Sequence, residues 1–107
     1  MFTRKSLKII IQEFILELRS KRYNPSKVVL FGSYAKGSPH EHSDIDLAIW
    51  DEKFTGCIPL DIESLLKMKV KFPTLLELHT YHSTETVESD PFIGEIEKHG
   101  ILIDSKV

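Results

Sequence analysis

The sequence has a single cysteine, Cys57, and no apolar run longer than the four residues of Val28 to Phe31 and of Leu47 to Trp50. One cysteine excludes an internal disulfide and an all-cysteine zinc site, and it suits a reducing compartment. A membrane-spanning helix needs about 20 consecutive apolar residues, which these runs cannot supply. The N-terminus also lacks the apolar stretch and small-residue cleavage site of a signal peptide, so the chain is expected in the cytoplasm, with no membrane partner. Between Gly56 and Ile58, Cys57 has no adjacent base to activate it and is expected to be a packed or half-exposed thiol. With 41% hydrophobic and 28% charged residues the composition is that of a globular protein, not a disordered one. A length of 107 residues predicts one domain over positions 1–107, able to fold around its own core without disulfides or structural metals.

An excess of charge of either sign is also lacking, since the net charge is only -2. This argues against binding nucleic acid through gross electrostatics, and direct nucleic-acid binding is not expected. The sum conceals an asymmetry: residues 1–37 carry +6 and residues 38–107 carry -8. The basic part reads either as a solvated helix face or as a flank beside a polyphosphate or a partner surface.

Leu7, Ile10, Ile11, Phe14 and Leu18 recur at helical spacing, with Ser6 as a candidate N-cap and Lys21 and Arg22 suiting the C-terminal end. Asn24-Pro25 is expected to end this helix, because a residue before proline leaves the helical region. Lys27 to Phe31 reads as a buried strand that stops at Gly32. Ser33 to Lys36 can begin a short helix, and a polar loop follows through Ser43. Ile45, Leu47 and Ile49 then alternate with Asp44, Asp46 and Ala48, which places two carboxylates on one strand face. A loop over Asp51 to Pro59 precedes a second amphipathic helix with Ile62, Leu65 and Leu66 inward. Pro73 separates that helix from a strand over Leu75 to Tyr81. Asp90-Pro91 signals a helix start, Gly100 suits its C′ position, and Ile101 to Ile103 form a final edge strand. The fold class is therefore α/β, or α+β: a small mixed sheet flanked by helices.

The chemistry concentrates in Phe31 to Trp50, FGSYAKGSPHEHSDIDLAIW. A glycine after a strand lets backbone approach a ligand closely, and a serine opening a short helix offers a hydroxyl and free amides to phosphate oxygens. Carboxylates at i and i+2 on a strand can share hard divalent cations such as Mg2+. Gly32 to Gly37 imitates a P-loop, but Ser38 and Pro39 stand where that motif requires Lys and Ser or Thr.

Gly32-Ser33, ten residues, then Asp44-Ile45-Asp46 resembles the signature of the DNA polymerase β-like nucleotidyltransferase superfamily. Gly37 and Ser43 also sit where that family's longer pattern has Gly and Ser. The sequence is most similar to the minimal nucleotidyltransferases, single domains of about this size, and the resemblance implies the nucleotidyltransferase fold. It implies that Gly32 and Ser33 hold the triphosphate, with Ser43 also in the nucleotide site, and that Asp44 and Asp46 bind two Mg2+ ions; Lys36 reads either as steadying the triphosphate or as a solvated lysine. It implies Glu77, in Leu76-Glu77-Leu78, as the third metal-binding and catalytic carboxylate, where most minimal members carry aspartate. Chemically, two such ions activate a hydroxyl and stabilise departing pyrophosphate in an in-line displacement, and Glu77 can take the proton.

The histidines divide by position. His40 and His42 lie in the loop before Asp44, and His79 shares a strand face with Glu77, but no Cys/His spacing supports a closed zinc site. His79 is the one expected to line the cleft, and His82 and His99 are expected at the surface. Trp50 is expected to pack in the core, whereas Tyr34 suits either packing or stacking on a base. The resemblance implies transfer of AMP from ATP, or of another nucleoside monophosphate, onto a hydroxyl of a partner protein. Larger relatives bind the acceptor with a second domain that is not expected here, and the resemblance to the minimal group also implies an antitoxin paired with a HEPN-domain protein. The alternatives are a nucleotide-binding module that neutralises its partner by contact, and transfer to a small molecule such as an aminoglycoside.

Overall fold

The computed structural model describes residues 2–40, 43–55, 57–69 and 76–105. The first helix, α1 (Arg4–Ser20), begins one turn earlier than the apolar spacing indicates. Its N-cap is Thr3, not Ser6: the Thr3 hydroxyl accepts a hydrogen bond from the Ser6 amide at 3.1 Å. The helix stops before Asn24-Pro25 is reached. The Tyr23 amide donates back to the Leu18 carbonyl and the Arg22 amide to that of Arg19, with Arg22 left-handed at φ 71°. That is a Schellman closure, with arginine where glycine is usual.

Strand β1 (Lys27–Phe31), helix α2 (Ser33–Lys36) and strand β2 (Ile45–Asp51) follow, the first two with the expected limits. The loop after β2 is shorter than predicted, because Asp51 still belongs to the strand and helix α3 (Ile58–Lys69) already contains Pro59. On α3, Leu65 and Met68 are buried and Ile62 is half-buried, whereas Leu66, expected inward, is 52% exposed. Residues 65 and 68 share a helix face, and 66 points about 100° away from 65. Strand β3 is Leu76–His82; Pro73 and Leu75 lie outside the described residues. The Asp90 carboxylate caps α4 (Pro91–His99) by accepting from the Phe92 amide at 3.0 Å. Gly100 ends α4 in an extended, not left-handed, conformation, so it serves there by lacking a side chain. A Cβ would lie 2.4 Å from both the Ile96 carbonyl oxygen and Val29 Cγ1. Strand β4 is Ile101–Ser105.

The four strands form one mixed sheet in the order β3-β2-β1-β4. β1 is antiparallel to β2 and β4, and β2 is parallel to β3. Strand alternation sends Val28, Leu30, Ile45, Leu47, Ile49, Leu76 and Leu78 to one face, where Leu7, Ile11, Phe14 and Leu18 of α1 and Leu65 of α3 cover them. A fully buried leucine or phenylalanine contributes about 1.5 to 3 kcal/mol, and this face holds the larger share of the buried apolar residues. Val29, Phe31, Ala48, Trp50 and Tyr81 take the other face, against Ile93 and Ile96 of α4. Asp46 and Glu77 alternate into that second face, which is covered by one helix of nine residues. Among the described residues no helix is long and apolar enough to cross a membrane.

Candidate active site

Asp46 occupies the centre of the site because of strand register. On β2 it pairs with Phe31, the last residue of β1, and with Glu77, the second residue of β3. Asp44 precedes β2 by one residue and is exposed, as is Glu77. Asp46 is pushed up from 3.8 to about 6, first by burial and then by the negative charges of Asp44 and Glu77. Among the described residues Asp46 has no hydrogen-bond donor.

The Gly32-Ser33 turn lies directly against this acid. Gly32 has φ 78°, and a Cβ there would fall 2.2 Å from Asp46 Oδ2. Only glycine meets both demands, a left-handed backbone and contact with the carboxylate. The turn and the acid are separated by fourteen positions in sequence, and the β1–β2 pairing joins them. Ser33 is half-buried as the first residue of α2, and no side chain caps that helix. Lys36, the last residue of α2, is exposed.

Ser43 holds a different position from its neighbours. It is 4% exposed, its hydroxyl accepts from the His40 amide at 2.7 Å, and its own amide donates to the His40 carbonyl at 2.9 Å. It closes the loop that delivers Asp44 to the sheet. His40 is exposed in that loop, and His42 lies outside the described residues. His79, half-buried, meets Phe31 edge-on at 4.9 Å. Burial lowers its pKa, partly opposed by the negative charge of Glu77. His82 is tied to Thr84, and His99 lies 3.9 Å from Glu95 at the end of α4. Trp50 packs in the core, stacked on Tyr81, and its indole N–H donates to the Glu85 carbonyl. Tyr34 is also a core residue, and its hydroxyl accepts from the Phe2 amide at 3.1 Å. Cys57 is exposed.

Two aromatic residues at the site are missed by the sequence reading, Phe31 and Phe92. Phe31 carried a signal, standing immediately before Gly32. Phe92 had none beyond following the Asp90-Pro91 helix start.

The donor set is chemically suited to a hard divalent cation, since it consists of carboxylate oxygens whose mutual repulsion a cation would relieve. Among the described residues, however, no group of three or more His, Cys, Asp or Glu is gathered tightly enough to hold a metal ion by itself. Mg2+ fits such an incomplete set, because it is usually bound by one or two carboxylates together with substrate phosphates.

Comparison with known proteins places this geometry. Residues 13–106 match the family model described as Polymerase beta, Nucleotidyltransferase. Three proteins of Methanocaldococcus jannaschii, each named "Putative protein adenylyltransferase", are similar in sequence. One is 44% identical over 69 residues, covering 63% of this chain and 69% of that protein. The others are 32% identical over 97 residues and 30% over 95, each covering 84% of this chain and 96% of the relative. Among solved structures, a mutant of the toxin-antitoxin MntA–HpeT aligns with a TM-score of 0.60 at 18% identity, covering 89% of this chain and 73% of that one. A toxin-antitoxin with AMP-PNP aligns with a TM-score of 0.63 at 19% identity, covering 92% and 73%. At such identities the structural likeness is one of fold. The family match covers most of the chain and includes the glycine turn and all three acids, and the chain therefore belongs to the polymerase β-type nucleotidyltransferase family.

Proposed function

We propose that this nucleotidyltransferase moves AMP from ATP onto a hydroxyl of a partner protein in the cytoplasm. We propose further that it is the antitoxin of a pair whose other member is a HEPN-domain protein. The observation that carries the reading is the contact of the Gly32-Ser33 turn with Asp46, which is itself in register with Glu77. A phosphate-holding turn and an acidic cluster thus meet at one point of the sheet. The names of the archaeal relatives support adenylyl transfer to protein, and the fold neighbours support a toxin–antitoxin setting.

In this reading Gly32 and Ser33, with Lys36 near the end of the same short helix, bind the triphosphate. Ser43 acts on it indirectly, by fixing the loop that positions Asp44. Asp44, Asp46 and Glu77 would hold two Mg2+ ions, which when bound lower the pKa of the attacking hydroxyl and neutralise charge on the leaving group. The acceptor oxygen forms a bond to the α-phosphorus as the bond to the bridging oxygen breaks, and pyrophosphate departs with its electron pair. Glu77, exposed and in register with Asp46 on the next strand, would take the acceptor's proton.

Incubation of the protein and its genomic neighbour with α-labelled ATP and Mg2+ tests this. Label on the neighbour that disappears with Asp46→Asn is the expected result. Tight binding between the two proteins with label on neither would instead show inhibition by contact.

A further inference from the structure

The sheet face below the carboxylates ends in three rings. Phe31 meets His79 at 4.9 Å and Phe92 at 5.9 Å, both edge-on, and His79 lies 6.0 Å from Phe92 at an interplanar angle of 40°. Phe31 is the strand partner of Asp46, and His79 stands one pleat along β3 from Glu77. Phe92, on the first turn of α4, is 45% exposed, unlike its helix neighbours Ile93 and Ile96, which are buried in the core. Its ring rests on those of Phe31 and His79 and keeps its remaining surface in solvent.

We propose that Phe92, supported by Phe31 and His79, is the stacking surface for the nucleobase of the nucleoside triphosphate. The proposal rests on the transfer reaction set out above. In-line displacement requires pyrophosphate and acceptor on opposite sides of the α-phosphorus. The Gly32-Ser33 turn at the end of β1 takes the first, and the side of Glu77 on β3 takes the second, so the reaction axis runs across the strands. The nucleoside leaves the phosphorus off that axis, and the rings next to Asp46 and Glu77 by strand position on this face are those of Phe31 and His79, on which Phe92 rests. Stacking suits the exchange: every base has a π-face, and aromatic side chains accept it without hydrogen bonds.

Calorimetric titration of the whole protein, in Mg2+, with ATP and separately with inorganic tripolyphosphate tests the surface. Phe92→Ala is expected to weaken ATP binding about tenfold and leave tripolyphosphate unchanged. Phe92→Leu, which keeps apolar bulk without a π-face, should weaken ATP likewise, whereas Phe92→Trp should retain it. A thermal melt of each variant separates binding loss from unfolding. ATP bound equally by wild type and Phe92→Ala overturns the proposal, and a raised KM for the acceptor in that variant would assign the ring to the acceptor instead. Wild-type protein that binds neither ATP nor tripolyphosphate overturns the transferase reading itself, and the stacking surface with it.

Discussion

Asp61 and Asp46 are both carboxylates withdrawn from water, and the chain surrounds them differently. Asp61, near the start of α3, is 3% exposed and accepts hydrogen bonds from the Thr55 amide and hydroxyl and from the Thr80 hydroxyl, at 2.9, 3.0 and 2.7 Å. Asp51 at the end of β2 is treated alike, accepting from the amides of Asn24 and Lys53. Asp46 has no such donor among the described residues and has Asp44 and Glu77 beside it. Donors around an acid tie elements together; acids around an acid leave an unsatisfied demand for positive charge. The difference separates carboxylates that hold the fold together from the one proposed to bind metal.

Neutralising each acid should break the comparison in opposite ways, and the largest effect belongs to Asp46. Asp46→Asn is expected to reduce nucleotidyl transfer about 10^3-fold, or ~4 kcal/mol, while raising the melting temperature of the metal-free protein at pH 7. Label incorporation and a thermal melt read the two effects. A melting temperature that fell would place Asp46 with the structural acids.

Asp61→Ala should do the reverse. It leaves Thr55 and Thr80 without their acceptor and cuts the link between α3 and β3, for a loss of about 3 kcal/mol in urea unfolding. Transfer per folded molecule should hold. Gly32→Ala is predicted to fall between the two: its methyl would meet Asp46 Oδ2 at 2.2 Å in a left-handed backbone, so the carboxylate must shift. Displacement of a reacting group by an ångström costs about 10^2-fold in rate. Unchanged transfer in Gly32→Ala would show that the turn does not set the acid's position.

How much of this was readable beforehand follows from the range of each interaction. The strands and the Gly32, Ser33, Asp44 and Asp46 set were legible because a strand has period 2 and the motif is contained within fifteen residues. Asp61 was not, since its partners Thr55 and Thr80 lie six residues before and nineteen after, and an acid in a first helical turn reads as a surface charge. The ends of α1 were missed for a local reason. Thr3 and Ser6 are both capping residues, and the closure at Arg22 uses a left-handed conformation that arginine does not announce. Phe92 was hidden because its position over the site depends on how α4 lies on the sheet.

The smallest expected effect is the pH dependence of the metal-free protein. Folding raises the Asp46 pKa from 3.8 to about 6, so between these values the folded state holds a proton that the unfolded state releases. Asp46's own contribution to stability is therefore greatest below pH 4, falls as pH rises through the window, and stays reduced above pH 6. Solvent screens a half-buried carboxylate, which limits the change to about 1 kcal/mol. Urea unfolding at pH 4, 5, 6 and 7 should show this decline in the wild type and its loss in Asp46→Asn. Added Mg2+ should restore the stability above pH 6 and do nothing for Asp46→Asn. A decline that persisted in Asp46→Asn would trace the repulsion to other acids and remove the distinction between Asp46 and Asp61.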